Sequence, residues 1–395
     1  MGSERPPPPR GPFGDASHGG VGRSAGVGRR GAVVTERVRR VVVVGAGAMG
    51  KAWIDTVARR PDLEIVGLVD IVADAARAAA LERGLGVPSF GSVGDALAVL
   101  DVDLIVNVTI PQAHLEVSAA ALRAGVPVLS EKPVTPTVAE ALLLSAVSAS
   151  TGTLMATSQS RRHSRGIRAF RDALVGLGGA EQLDVRFFQN PRFGGFRDEM
   201  PSPLLVDMAI HQFDQARYLL SSEPVSVFCE EFSPSWSWYR GAAAAEAIFR
   251  FADGRRFSYS GSWCADGLTT SWNGDWRGSA AGGSAAWDGE TDVVVQPREG
   301  SAQAVALAGG AEGLDAALAE FVAALDGGPE PSGEISRNIG SLAMVEAAVS
   351  SAAAGAPVRF DDLFERASAR AEELARAGGF DDAAGRLGID PRRVP

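Results

Sequence analysis

From residue 41 onward, short β-branched runs alternate with alanine-rich stretches. Residues 41–44 read as a buried strand, 48–60 as a helix, 63–69 as a strand and 73–83 as a helix. Strands at 103–108, 126–130 and 153–157, separated by helices at 112–124 and 138–150, continue the pattern. Strands joined through helices pair in parallel by right-handed crossovers, which predicts a doubly wound sheet of α/β type. Near residue 160 the character changes. After a helix at about 165–175, strand-like stretches dominate at 180–189, 225–233, 243–251, 255–263 and 284–296. Helices return at about 311–325, 333–354 and 361–377. This half reads as α+β, with a large, mostly antiparallel open sheet backed by helices.

Composition narrows the classes. The 395 residues accommodate two domains, and no apolar run approaches the roughly 18 residues of a membrane span. Cys229 and Cys264 make neither a disulfide framework nor a metal site of usual spacing, so a reducing cytoplasm is expected. His18, His114, His163 and His211 show no zinc-enzyme pairing, and no metal is expected. Residues 1–40 hold eight arginines against Glu4, Asp15 and Glu36, a net of +5. The formal charge of −10 thus leaves −15 for the remainder, which disfavours nonspecific nucleic-acid binding by the body. The segment 1–36, rich in Pro, Gly and Arg, reads as a disordered basic tail.

Lysine occurs twice, as Lys51 and Lys132, and apart from four histidines every other basic side chain is arginine. An ammonium is compact and its pKa moves readily, so it enters proton chemistry closed to Arg. Lys51 follows Gly45-x-Gly47-x-x-Gly50, between a strand and a helix. There the first glycine makes the turn, the second admits a pyrophosphate to the backbone, and the third lets helix pack on strand. Ala48 and Met49 complete the turn, and the helix N-terminus favours phosphate. Asp70 ends the second strand, placed to accept hydrogen bonds from an adenosine ribose, which favours NAD over NADP. Gly45 to Lys51 also fits the phosphate loop of NTPases, but Ala52 stands where that loop holds magnesium through Ser or Thr.

Ligands of such sheets lie beyond the carboxyl ends of strands, so Thr109 and Pro111 should border the cofactor, with His114 following at a helix start. The strand 126–130 delivers Glu131-Lys132-Pro133 to the same crevice, and Pro133 keeps Lys132 out of helical geometry. Further on, Ser202 is a good N-cap and Pro203 a good first helical residue. At about 100° per residue, Asp207, His211 and Asp214 then share one face within about 60°, and Tyr218 joins them. A polar stripe among Leu204, Leu205, Met208, Ile210 and Phe213 needs partners or a ligand; a histidine held by a carboxylate in the core is the alternative. Six of the seven tryptophans lie between 236 and 287, and Trp236 among them could stack on a sugar face, although core packing explains most of such a group.

In order along the chain, Gly45 to Gly50, Thr109-x-Pro111-x-x-His114, Glu131-Lys132-Pro133 and Asp207-x-x-x-His211-x-x-Asp214 resemble the glucose–fructose oxidoreductase / inositol dehydrogenase (Gfo/Idh/MocA) family over roughly 38–360. The resemblance implies an NAD-binding Rossmann domain at 37–158, a substrate-binding and oligomerisation domain at 159–395, and a nicotinamide-dependent dehydrogenase or reductase of a sugar, cyclitol or related polyol. By match of position, Lys132, Asp207 and His211 would be catalytic, with Glu131 and His114 bordering the cofactor. Arg162 matches an arginine that often follows the sixth strand, and with Asp214 and Trp236 is a candidate for substrate contact. A homo-oligomer is implied through the second sheet, with neither nucleic acid nor membrane as partner. The glycine-rich stretch that many members carry before the aspartate is replaced by Met200-Pro201-Ser202-Pro203-Leu204, which puts the substrate pocket's shape in question. Two rivals remain: a glycosidase or lyase that oxidises only transiently, and a non-catalytic sugar or dinucleotide sensor.

Overall fold

A computed structural model describes residues 38–384; the expectation for the tail at 1–36 lies outside them. The first sheet is parallel throughout. Its strands are β1 (Arg39–Val44), β2 (Leu63–Val69), β3 (Ser89–Phe90), β4 (Leu104–Asn107), β5 (Val128–Ser130) and β6 (Met155–Thr157), ordered β3-β2-β1-β4-β5-β6. The order reverses between β1 and β4, which opens a crevice at their carboxyl ends. Between the strands run helices α1 (Ala48–Ala58), α2 (Ala73–Glu82), α3 (Val93–Val99), α4 (Pro111–Arg123) and α5 (Val138–Thr151). The short β3 and α3 were not foreseen; two residues of strand and a two-turn helix carry little periodic signal.

Successive residues of a strand face opposite sides, and β1 shows the consequence. Val41 and Val43 pack with Trp53, Ile54 and Val57 of α1, whereas Val42 and Val44 pack with the α4 and α5 side. Because α3, α4 and α5 all cross on one face, the other face of β4–β6 needs a separate cover. It comes from α8 (Gly313–Leu325), whose Leu318, Phe321 and Val322 join Leu129 and Ala156 in one cluster. A helix from the far end of the sequence thus completes the first sheet.

The second sheet has nine strands: β7 (Ala180–Phe188), β8 (Pro224–Phe232), β9 (Ala244–Phe251), β10 (Arg256–Ser262), β11 (Asp275–Ala280), β12 (Gly283–Trp287), β13 (Val293–Pro297), β14 (Gln303–Ala304) and β15 (Val358–Arg359). They are ordered β14-β13-β12-β11-β7-β10-β9-β8-β15. All neighbours are antiparallel except β7 and β10. The expected single strand over 284–296 is a hairpin of β12 and β13, turned where Asp288 accepts from the amides of Glu290 and Asp292. Asp288-Gly289 is the turn signal that marks it. On the sheet's inner face lie α6 (Arg165–Gly176), α7 (Ile210–Leu220) and α9 (Ile335–Ala354); α10 (Phe360–Gly378) packs against α5 and α9. No described helix is long and apolar enough to cross a membrane.

Candidate functional site

The glycine-rich turn shows three separate constraints. Gly45 has φ +108°, and a Cβ there would lie 2.5 Å from the Val108 carbonyl oxygen. A Cβ on Gly50 would meet the Gly45 carbonyl oxygen at 1.9 Å, so strand and helix close only over glycine. Gly47 differs: it is exposed, and a Cβ there would meet nothing within 4 Å. The N-terminus of α1 also has no side-chain cap and no acidic residue in its first turn. An open face over unshared amides fits a dinucleotide pyrophosphate. Asp70 laces the turn, accepting from the Ala46 amide at 2.8 Å and the Val72 amide at 2.9 Å. Each carboxylate oxygen keeps a further lone pair that a ribose hydroxyl could use. Lys51 turns outward to Glu82 at 2.5 Å, a half-exposed pair, so it is a surface residue and cradles no phosphate.

Thr109 is partly exposed at the end of β4, its hydroxyl donating to Asn107 at 2.7 Å, and Pro111 opens α4 beside it. His114 corrects the expectation of a cofactor contact. It is fully buried, with one ring nitrogen 2.9 Å from the Pro133 carbonyl and the other 3.0 Å from the Thr109 carbonyl. It pins the loop after β4 to the loop after β5 and so sets where Thr109 and Lys132 sit. Glu131 is likewise turned inward: one oxygen accepts from the Trp53 indole at 2.9 Å and the other from the Lys132 amide at 3.1 Å. Burial raises its pKa against both.

Lys132, on a cis peptide to Pro133, reaches across to the segment before α7. Its Nζ donates to the Asp207 main-chain oxygen at 2.9 Å and lies 3.7 Å from the carboxylate. Burial pushes the ammonium below the usual lysine range, against Asp207 and Glu131; Arg161 and Arg197 add to the fall. The buried His211 imidazole is driven well below its usual range by burial first, then by Arg161 and Lys132. It is a neutral base at pH 7, and its Nδ1 is buried without a partner.

The segment before His211 departs from the expected helix. Residues Leu204–Ala209 form a π-helical turn before α7 begins, and Ser202, instead of capping, donates its hydroxyl to Glu231 at 3.0 Å. An i→i+5 turn rotates side chains differently from an α-turn, and such turns recur at functional sites. Asp207 therefore does not hold the His211 ring; its carboxylate accepts from Arg197 Nε at 2.6 Å. Asp214 and Arg162 also leave the expected stripe. They form a buried two-pronged pair at 2.7 Å on each arm, and Ser341 donates to Asp214 at 2.6 Å. Both are enclosed, and each spends its charge on the other.

Of the tryptophans, Trp263, Trp276 and Trp287 are core residues. Trp236 is 62% exposed and donates to the Cys264 carbonyl at 2.7 Å. The one that meets the site is Trp272: it stacks on Phe193 and its carbonyl accepts from Arg161. Arg161, Arg197 and Trp272 were not singled out in the sequence, because only long-range packing brings them to Lys132 and His211.

A parallel sheet in this order, with this glycine turn at its carboxyl edge and a buried lysine and histidine that interact electrostatically beside it, is the arrangement of an NAD-binding oxidoreductase. Residues 39–158 match the model of the oxidoreductase family with NAD-binding Rossmann fold, and 178–288 match the GFO/IDH/MocA C-terminal domain. The chain belongs to the Gfo/Idh/MocA family. It is 29% identical over 354 residues to the uncharacterized protein y4oX of Sinorhizobium fredii, covering 82% of this chain and 97% of that one. It is 35% identical over 190 residues to inositol 2-dehydrogenase of Leifsonia xyli subsp. xyli, covering 48% of this chain and only 55% of that enzyme. An oxidoreductase from Agrobacterium radiobacter, solved with NAD+, L-tartaric acid and magnesium, has the same fold: TM-score 0.76 at 16% identity, over 82% of this chain and 99% of that one.

Proposed function

We propose that this oxidoreductase interconverts an alcohol and a ketone on a sugar, cyclitol or related polyol, with Lys132, Asp207 and His211 at the reacting carbon. The observation that carries the reading is that Lys132, from the end of β5, bonds the Asp207 main-chain oxygen just ahead of the buried His211 of α7, near enough for its charge to help keep that imidazole neutral. His211 takes the hydroxyl proton, as a depressed pKa allows near neutral pH. Lys132 donates a hydrogen bond to the same oxygen and stabilises its developing negative charge in a partly buried site. Asp207 holds the Lys132 ammonium and Arg197 in place through its main-chain oxygen and carboxylate. When bound, NAD supplies the hydride acceptor. The relation to inositol 2-dehydrogenase supports a cyclitol or sugar as substrate class.

Asp70 supports NAD in preference to NADP, because its carboxylate would repel a 2′-phosphate. The outer face of the second sheet supports a homo-oligomer: Phe228 stands opposite Ile248, both exposed, with Val225 and Phe232 nearby on β8. The free, buried thiols of Cys229 and Cys264 support a reducing, cytoplasmic setting. The test is a screen of sugars, cyclitols and their keto forms for a change in NADH absorbance with either cofactor. Net NADH from a polyol, with the higher kcat/KM for NAD, supports the reading. Product formation without net NADH would mean transient oxidation by a lyase or glycosidase, and NAD binding without any turnover a sensor.

A further inference from the structure

Arg161 and Arg162 are neighbours with different fates. Arg162 is neutralised by Asp214, whereas every partner of Arg161 among the described residues is uncharged. Its Nη1 donates to the Trp272 carbonyl and, at 3.3 Å, to the side-chain oxygen of Asn273; Nη2 lies 4.0 Å from the Met208 sulfur. Nε donates to nothing among the described residues, and no carboxylate there comes within ion-pair distance of the guanidinium. The arginine is partly buried, and burial alone lowers it to about 10.

Two other polar groups beside it also want partners. Gln212, fully buried, reaches the same Trp272 carbonyl through Nε2 at 3.5 Å, while its Oε1 is unpartnered; His211 Nδ1 is the second. Lys132, Arg161 and Arg197 bring three positive charges here, against the one carboxylate of Asp207. Glu131, turned towards Trp53, would still leave an excess of one. A partly buried cation without a counter-ion is unfavourable unless something else supplies the charge. The planar edge carrying Nε and Nη2 is the one that accepts two oxygens at once.

We propose that the substrate of this site carries an anionic oxygen group, a carboxylate or a phosphate, and that Arg161 binds it through Nε and Nη2. The inference rests on the polyol reading above and narrows it: the substrate is an acidic sugar or cyclitol derivative. The reacting carbinol lies at Lys132 and His211 while the anion lies at Arg161. Arg161 sets specificity by charge, and the stacked Phe193 and Trp272 offer an apolar wall beside it.

The test measures binding to the NADH-loaded protein by titration calorimetry, with D-glucuronate, α-D-glucose 1-phosphate and neutral D-glucose. Wild type should bind at least one anion about tenfold or more tighter than glucose, the size of a charge-assisted bidentate contact. Arg161→Gln should bring that ratio to within about twofold while glucose and NADH affinities hold; Arg161→Lys, which keeps the charge and loses the fork, should fall between. The anion that shows the Arg161 dependence identifies the group as carboxylate or phosphate. Equal binding of glucose and both anions, no saturable binding of either anion, or a preference that survives Arg161→Gln overturns the proposal. The same compounds are assayed for NAD reduction. Arg161-dependent anion binding without any oxidation would uphold the anion site and defeat the polyol dehydrogenase reading instead. Equal oxidation of acids and neutral parents would do the reverse.

Discussion

Replacing Asp214 by Asn separates a structural carboxylate from a substrate contact. Asp214 takes two hydrogen bonds from Arg162 at 2.7 Å and one from Ser341 at 2.6 Å. Ser341 in turn accepts from Arg217 at 2.8 Å, and Arg217 pairs with Glu223. Asp214, Arg162, Ser341 and Arg217 are all buried. The amide keeps the volume but leaves Arg162 without its counter-charge, a loss worth about 3–5 kcal/mol for a broken buried pair. With an unfolding entropy of about 2.1 cal/mol/K per residue over the 347 described residues, the melting midpoint should fall by roughly 4–7 °C. Arg162→Met with Asp214→Leu should recover most of that, since an apolar pair of similar size replaces a buried ion pair at little cost. The assay is thermal denaturation at a fixed scan rate, with KM measured well below the midpoint. A midpoint within about 1 °C of wild type together with a raised KM would refute this reasoning and return Asp214 to the substrate site.

Gly47→Ala should leave the melting midpoint unchanged, because φ is −68° and the new methyl meets nothing in the protein, yet it should weaken NADH binding by about tenfold or more. Calorimetry with NADH checks it, and Gly50→Ala should instead fail to fold stably. The buried His211 makes a pH prediction. Above pH ~6.5 it is neutral whether folded or unfolded; below that the unfolded chain takes up a proton that the folded state refuses, so its contribution to stability falls by up to about 1.4 kcal/mol per pH unit. Raised carboxyls, Glu231 at about 7 among them, pull the other way in every variant, so the comparison is between proteins. From pH 7.5 to 5.5, His211→Asn should gain about 2 °C on wild type; a gap that stays constant would show that His211 is not held neutral.

Much of this fold is legible because its signals are local. The strand at 63–69 and the helix at 138–151 follow from β-branched and capping residues: Thr137 and Glu140 cap one another's backbone and side chain. The glycine turn and the delivery of Lys132 are legible for the same reason. The β12–β13 hairpin was legible too, through Asp288-Gly289 between the apolar stretches 285–287 and 293–295. Other features depend on contacts between distant segments. The extra residue of the π-turn leaves no trace in helical periodicity, and it moves Asp207 from His211 to Arg197. Arg161 and Arg162 are indistinguishable in the chain; only Asp214 and Trp272, brought from elsewhere, separate a buried strut from an uncompensated cation. Nothing in the sequence of α8 assigns it to the first sheet, because its apolar stripe fits any open face.

Lys132→Arg bears most directly on the central claim, that Lys132 and His211 together do the proton chemistry on an alcohol. Arginine keeps the positive charge but not the compact, titratable ammonium held by the Asp207 carbonyl. On the best substrate from the polyol screen, the variant should keep its melting midpoint and its NADH affinity to within about twofold while kcat falls by about a hundredfold or more. Near-native turnover with Arg at this position would contradict the account.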